Sequence, residues 1–102
     1  MATNYVLLYK GGAGMDRSEE DANAVMEAWG MWYGKLGDAI VDGGNPFSQS
    51  MAMTSDGNTD PSGITGYTVI SADDMAGAQA LVKDHPHLDD GGTVEVYETF
   101  EM

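Results

Sequence analysis

Residues 66–98 read GYTVISADDMAGAQALVKDHPHLDDGGTVEVYE, and this stretch decides the fold. Tyr67 and Val69 alternate with Thr68 and Ile70 as the two faces of a strand do. Asp73 is then placed to cap a helix whose apolar positions, Met75, Ala78, Leu81, Val82 and His85, fall at helical spacing. Pro86 disfavours the helical region for His85, and Asp89, Asp90, Gly91 and Gly92 supply a turn before a last strand that starts at Thr93 and runs to the C-terminus. The unit is strand, helix, strand. Both histidines of the chain, His85 and His87, lie at its joint, where side chains can serve function without disturbing a core.

Working outward, residues 4–10 form a first strand with Tyr5, Leu7 and Tyr9 on one face and Val6 and Leu8 on the other. Both faces are apolar, so something must cover the second one, and a homodimer through the sheet face is predicted. The glycine-rich run Gly11, Gly12, Ala13, Gly14 lacks the spacing of a phosphate-binding loop and reads as a connector. Ser18 can cap a helix carrying Ala22, Val25, Met26, Trp29, Trp32, Tyr33 and Leu36 at steps of three and four, ended by Gly37 in a left-handed conformation. Its stripe of Trp29, Trp32 and Tyr33 reads either as core or as the lining of an aromatic ligand pocket. Gly30 and Gly34 interrupt this helix on another face, marking either a close approach by backbone or ligand or a tolerated solvent face.

After a short extended run at Ala39, Ile40 and Val41, broken by the turn Asp42, Gly43, Gly44, Asn45, Pro46, a second strand is predicted over residues 47–55, with Phe47, Met51 and Met53 on its apolar side and Ser48, Ser50 and Thr54 on the other. A polar loop over residues 56–63 leads to the third strand at Ile64. The order is strand, helix, strand, strand, helix, strand. That is the α+β ferredoxin-like βαββαβ pattern, a four-stranded antiparallel sheet with two helices on one face and the other face left for a partner.

The 102 residues allow one domain, residues 1–102, burying somewhat over ~60% of the surface of the unfolded chain. The absence of cysteine excludes a disulfide scaffold, a thiolate zinc site and a cysteine nucleophile, and fits the cytoplasm. No apolar run reaches the length of a signal peptide or a membrane span. Seventeen acidic residues against four basic ones give a net charge of -13, which repels phosphate backbones and anionic membranes, so neither nucleic acid nor a membrane is an expected partner. The same charge strains the compact state by self-repulsion that salt relieves, as it would in a salt-rich cytoplasm.

The strand ending in Leu7, Leu8, Tyr9, the tryptophan-rich helix closing at Gly37 and the Asp42, Gly43, Gly44 turn add to a longer series. That series is Gly66, Tyr67, Ala72, Ala78, Pro86, His87, Leu88, Gly91, Gly92, Glu95, Val96. In order and spacing the chain resembles the YCII-related, DGPF-type domains over nearly its whole length. The resemblance implies a subunit that pairs sheet to sheet as a dimeric α+β barrel. It also implies a family of mostly unassigned function, with enzymatic activity suspected from a pocket holding histidine and aspartate. Two departures stand out. Asp56, Gly57, Asn58, Thr59 replaces Asp-Gly-Pro-Phe, and no histidine precedes position 85, so the acid/base pair of many relatives has no counterpart near the first helix.

Chemistry therefore falls to His85 or His87, or to no histidine. His87 is the candidate proton-transfer group, past Pro86 and matching the family's Pro-His-Leu; a loop histidine in water, or one bonded to the end of its helix, is the alternative. Counting by two along the last strand from Val94 puts Glu98 on an otherwise apolar face, where a buried carboxylate would act as acid, base or partner to histidine. A bulge or sheet edge would instead return it to water. Asp42 is the other candidate carboxylate. Tyr9, Trp32, Tyr67 and His85 are the predicted ligand-binding residues. His85, His87, Asp89 and Asp90 could hold a metal in principle, but Asp-Asp-Gly-Gly is an ordinary turn, and neither a metal nor an organic cofactor is assigned. The reading is a small-molecule enzyme of lyase, isomerase or hydrolase type using histidine–carboxylate chemistry, with a non-catalytic binding or interaction domain as the alternative.

Overall fold

The computed structural model describes residues 2–11 and 18–101. Most of the glycine-rich connector lies outside them. The fold is mixed α+β, organised on a four-stranded antiparallel sheet. Strand β1 (Thr3–Gly11) is followed by α1 (Glu19–Leu36), a single 3-10 turn (Gly37–Ala39) and β2 (Ile40–Asp42). A separate hairpin of β3 (Ala52–Thr54) and β4 (Gly57–Thr59) precedes β5 (Ile64–Ala72), α2 (Met75–Val82), α3 (Pro86–Asp89) and β6 (Gly92–Glu98). The sheet order is β2-β5-β1-β6, so each helical crossover skips one strand.

One face of β1 and β5 is dry. Tyr5, Leu7, Thr68 and Ile70 are fully buried and Tyr9 nearly so, while Val6, Leu8, Tyr67 and Val69 on the reverse face are only half-buried. Both helices bury their apolar residues against the dry face, α1 through Trp32 and Leu36 and α2 through Ala78 and Val82. Ser18 caps α1 by accepting from the Asp21 N–H at 3.1 Å, and Glu19, Glu20 and Asp21 suit the positive end of the helix dipole. Gly37 closes it at φ +54°. Asp74, not the expected Asp73, caps α2, accepting from the Gly77 N–H at 2.7 Å.

The second strand differs from expectation. The sheet edge is Ile40–Asp42, whose Ile40 packs on the core opposite Ile70, whereas residues 47–55 leave the sheet after Phe47. Met51 and Met53, expected on an apolar strand face, are 66% and 68% exposed; Met53 lies in the hairpin β3–β4. The physical reason lies in the turn between. The edge bulges between Ile40 and Asp42, then Pro46 bridges to Gly66, the Phe47 N–H donates to the Thr65 carbonyl at 2.8 Å, and there the ladder ends. The last strand likewise stops at Glu98 rather than at the C-terminus.

Gly44 sits at φ +76°, and a Cβ there would collide with the Tyr67 carbonyl oxygen and lie 2.6 Å from its carbon. Gly34 in α1 has nothing within 4 Å of an added Cβ. Gly44→Ala should therefore cost about 2–4 kcal/mol in urea unfolding, and Gly34→Ala should stabilise by about 1 kcal/mol. Equal effects from the two substitutions would contradict this packing of the turn.

Candidate functional site

The site grows from the joint between α2 and α3. Helix α2 ends at Val82, and His85 is extended at φ -65° and ψ 132° because Pro86 follows as the first residue of α3. That conformation turns the His85 ring back onto its own chain, where Nδ1 accepts from the His87 N–H at 3.0 Å and caps the short helix. Nδ1 thus carries no proton, and the ring hydrogen belongs on Nε2, which donates to the Tyr9 hydroxyl at 3.0 Å. Tyr9 in turn donates to Thr68 Oγ1 at 2.7 Å, and Thr68 donates to the Gly43 carbonyl at 3.2 Å. The chain of bonds crosses the molecule from the α2–α3 joint through β1 and β5 to the β2 turn.

The three side chains in that chain, His85, Tyr9 and Thr68, are buried. His85 is fully buried, with the Trp32, Trp29 and Tyr9 rings centred 4.2, 4.5 and 4.9 Å away. Burial, with a smaller contribution from nearby His87, lowers its pKa from 6.5 to about 4, so it is neutral at physiological pH. Burial also drives the Tyr9 hydroxyl well above its ordinary value, so Tyr9 keeps its proton.

A cavity of about 540 Å³ opens beside this chain. Tyr9, Gly66 and Tyr67 supply its sheet side, Trp29, Gly30 and Tyr33 its α1 side, and Gly43, Gly44, Asn45 and Pro46 the turn that closes it. Tyr33 holds that turn by donating to the Gly43 carbonyl at 2.9 Å. His87, 8% exposed, joins the lining; its Nε2 donates to the Lys10 carbonyl at 3.1 Å, which leaves Nδ1 as the ring nitrogen not committed to that bond. The ring lies against Gly92, where any Cβ would strike Nε2.

Of the residues singled out in the sequence, His87, Tyr9 and Tyr67 line the cavity together. Trp32 and His85 lie beneath it. Trp32 is core, donating its indole N–H to the Leu81 carbonyl at 3.0 Å. Asp42 stands just behind the lining, accepting from the Gly44 N–H at 2.9 Å and, at a long 3.5 Å, from the Tyr67 hydroxyl. Glu98 is elsewhere. It does face the core side of the sheet, opposite Tyr5, but at an exposed strand end where it accepts from the Tyr5 hydroxyl at 2.7 Å. Five residue steps along β1 lead from Tyr5 to Lys10, the residue that holds His87, or roughly 17 Å. The expected His87–Glu98 pair is therefore not formed, because the count by two fixed the face of Glu98 and said nothing of its distance along the strand. Glu98 instead helps burial push the Tyr5 hydroxyl up to about 12.

Trp29, Tyr33 and Gly30 are cavity residues that the sequence left between core and pocket, and the turn residues Asn45 and Pro46 carried no functional signal at all. Gly30 was the one local hint, since its missing side chain meets open space. Among the described residues no group of three or more histidine, aspartate and glutamate side chains is placed to hold a metal ion, and no helix is long and apolar enough to cross a membrane. No protein-family model matches the sequence, and no curated protein matches it significantly.

The His85 pKa carries a stability consequence. The native state refuses a proton that the unfolded chain accepts, so stability present above pH ~6.5 is lost as pH falls toward about 4, on the order of 3 kcal/mol in all. Carboxylates titrate in part of this window, so the comparison is with His85→Gln. The difference in urea stability between wild type and His85→Gln should shrink steadily from pH 7 to pH 4.5. A difference independent of pH would contradict the neutral, buried imidazole.

Proposed function

We propose that this domain binds a small, largely apolar molecule in the cavity between α1, the sheet and the β2 turn. The carrying observation is the lining itself: Tyr9, Trp29, Tyr33 and His87, with the Tyr67 backbone and the glycine turn, enclose one cavity of about 540 Å³, a size and composition suited to a small organic ligand. Acid/base turnover of lyase, isomerase or hydrolase type is the second reading. It is favoured by the Lys10 carbonyl fixing the His87 ring, which leaves one nitrogen for proton exchange. Of the carboxylate partners considered, Glu98 is bonded to Tyr5 and Asp42 to the turn, so His87 would work without a carboxylate in direct contact.

We further propose that the subunit is ferredoxin-like, related to the YCII and DGPF-type domains, and pairs through its open sheet face as a homodimeric α+β barrel. The order β2-β5-β1-β6, the packing of both helices on one face, and half-buried Val6, Leu8 and Val69 on the other support this reading. So does the flat shape, 18 Å thick with a radius of gyration of 14.9 Å, against ~13 Å for a compact domain of this size. Leu8→Glu should convert a dimer to a folded monomer in light scattering; a monomeric wild type would refute the pairing.

The ligand reading is tested by screening small aromatic fragments against the labelled protein by NMR. Shifts should centre on Trp29, Tyr33, Tyr67 and His87. Gly30→Leu, which adds side chain into open space, should weaken the best fragment by at least ~10-fold without changing the fold. His87→Gln should leave that affinity within about threefold and lower any turnover by ~10²-fold or more. Fragments that bind elsewhere, or that ignore Gly30→Leu, would contradict the assignment.

A further inference from the structure

The polar groups around this cavity face it almost wholly as acceptors. Tyr9 donates its hydroxyl hydrogen to Thr68, Tyr33 to Gly43, Tyr67 to Asp42, and Thr65 to the Tyr9 carbonyl at 3.2 Å. The hydrogen of His87 Nε2 is likewise committed to Lys10. What remains toward a ligand is oxygen and nitrogen lone pairs and aromatic rings, with the Trp29 indole and the Asn45 amide as the side-chain donors left. Among the described residues no lysine or arginine lines the cavity, and the chain carries a net charge of -13. Asp42 sets a fixed negative charge beside the turn, accepting from the Gly44 N–H at 2.9 Å and from the Tyr67 hydroxyl at 3.5 Å.

On these observations we propose that the ligand is a cation: an aromatic or alkyl amine, or a methylated ammonium compound, held against the rings of Trp29 and Tyr33, whose centres lie 6.1 Å apart. The inference rests on the small-molecule reading and narrows it to one charge class. A cationic head is attracted by the electron-rich faces of such rings, most strongly by tryptophan, and by the summed negative field around the site. An ammonium carrying hydrogens can also donate to the tyrosine oxygens and to His87 Nδ1. An anion would surrender its hydration to a described lining with no lysine or arginine and few donors, and a neutral molecule would gain burial alone.

The test is a matched trio titrated into the full chain in about 0.5 M salt, which shortens the reach of the global charge to a few ångströms. Phenyltrimethylammonium is compared with its neutral isostere tert-butylbenzene and with benzoate. The cation should bind roughly 2- to 30-fold tighter than the isostere, the range of a cation–ring contact, and benzoate weakest of the three. Asp42→Asn, which keeps the oxygen that Gly44 needs, should lower the affinity of the cation and leave that of the isostere unchanged; Trp29→Leu should erase the preference. An isostere or benzoate that binds as tightly as the cation would overturn the charge assignment and leave the pocket standing. If none of the three binds and shifts at Trp29 and Tyr67 are absent, the pocket reading falls with it.

Discussion

A histidine with no access to water has to find both of its ring nitrogens a partner, and His85 finds them in the His87 backbone and the Tyr9 hydroxyl. Much of the architecture follows from satisfying that ring. The bond to His87 fixes the first turn of α3 and so directs the following side chain toward the cavity. The bond to Tyr9 continues through Thr68 to the Gly43 carbonyl, where Tyr33 also ends. Two helical segments, two strands and a glycine turn are thereby tied by directional bonds in a dry interior, where leaving any one donor or acceptor bare would cost about 1–3 kcal/mol.

The cavity is the space that this network frames without filling. Tyr9 is held edge-on to Trp29, with ring centres 5.1 Å apart, and its hydroxyl hydrogen is committed to Thr68. Gly44 lets the turn run directly over the Tyr67 backbone, Gly92 leaves room for the His87 ring, and Gly30 withholds a side chain from the opening. Three glycines thus shape one site for three different reasons: backbone approach, ring clearance and empty volume. Function and stability are linked here because the bonds that would orient a ligand-facing tyrosine are those that close the core.

How much of this was legible beforehand follows from the range of the signal each residue carries. Alternation along β1 and β5, the Ser18 cap and the Pro86 break are local features, and the structure places strands and helix ends within a residue or two of them. The edge strand was misplaced because Ile40–Asp42 is only three residues long and becomes a strand by pairing with β5, a tertiary fact, while the longer apolar alternation at Met51 and Met53 ends up in solvent. Of the site, His87, Tyr9 and Tyr67 could be named, since a histidine just past a helix-breaking proline and strand tyrosines announce themselves, although His87, expected in a loop, is buried within α3. Which carboxylate reaches the histidine could not. Periodicity tells the face of Glu98, but the register of β6 on β1 sets its depth, and that register puts Glu98 beside Tyr5. The role of His85 was understated for a related reason: helical spacing placed it on the packing face, yet nothing local shows that its ring would become a hub for hydrogen bonds.

The central claim is that His85 is a neutral, Nε2-protonated imidazole at the head of a chain ending at Gly43. The most direct measurement is the nitrogen NMR spectrum of the two imidazole rings, followed from neutral to acid pH. For His85 the account predicts an Nδ1 resonance typical of an unprotonated acceptor, an Nε2 that carries the hydrogen, and no protonation until the pH approaches about 4. A His85 ring protonated on Nδ1, or one that titrates near 6.5 like a free imidazole, would contradict it.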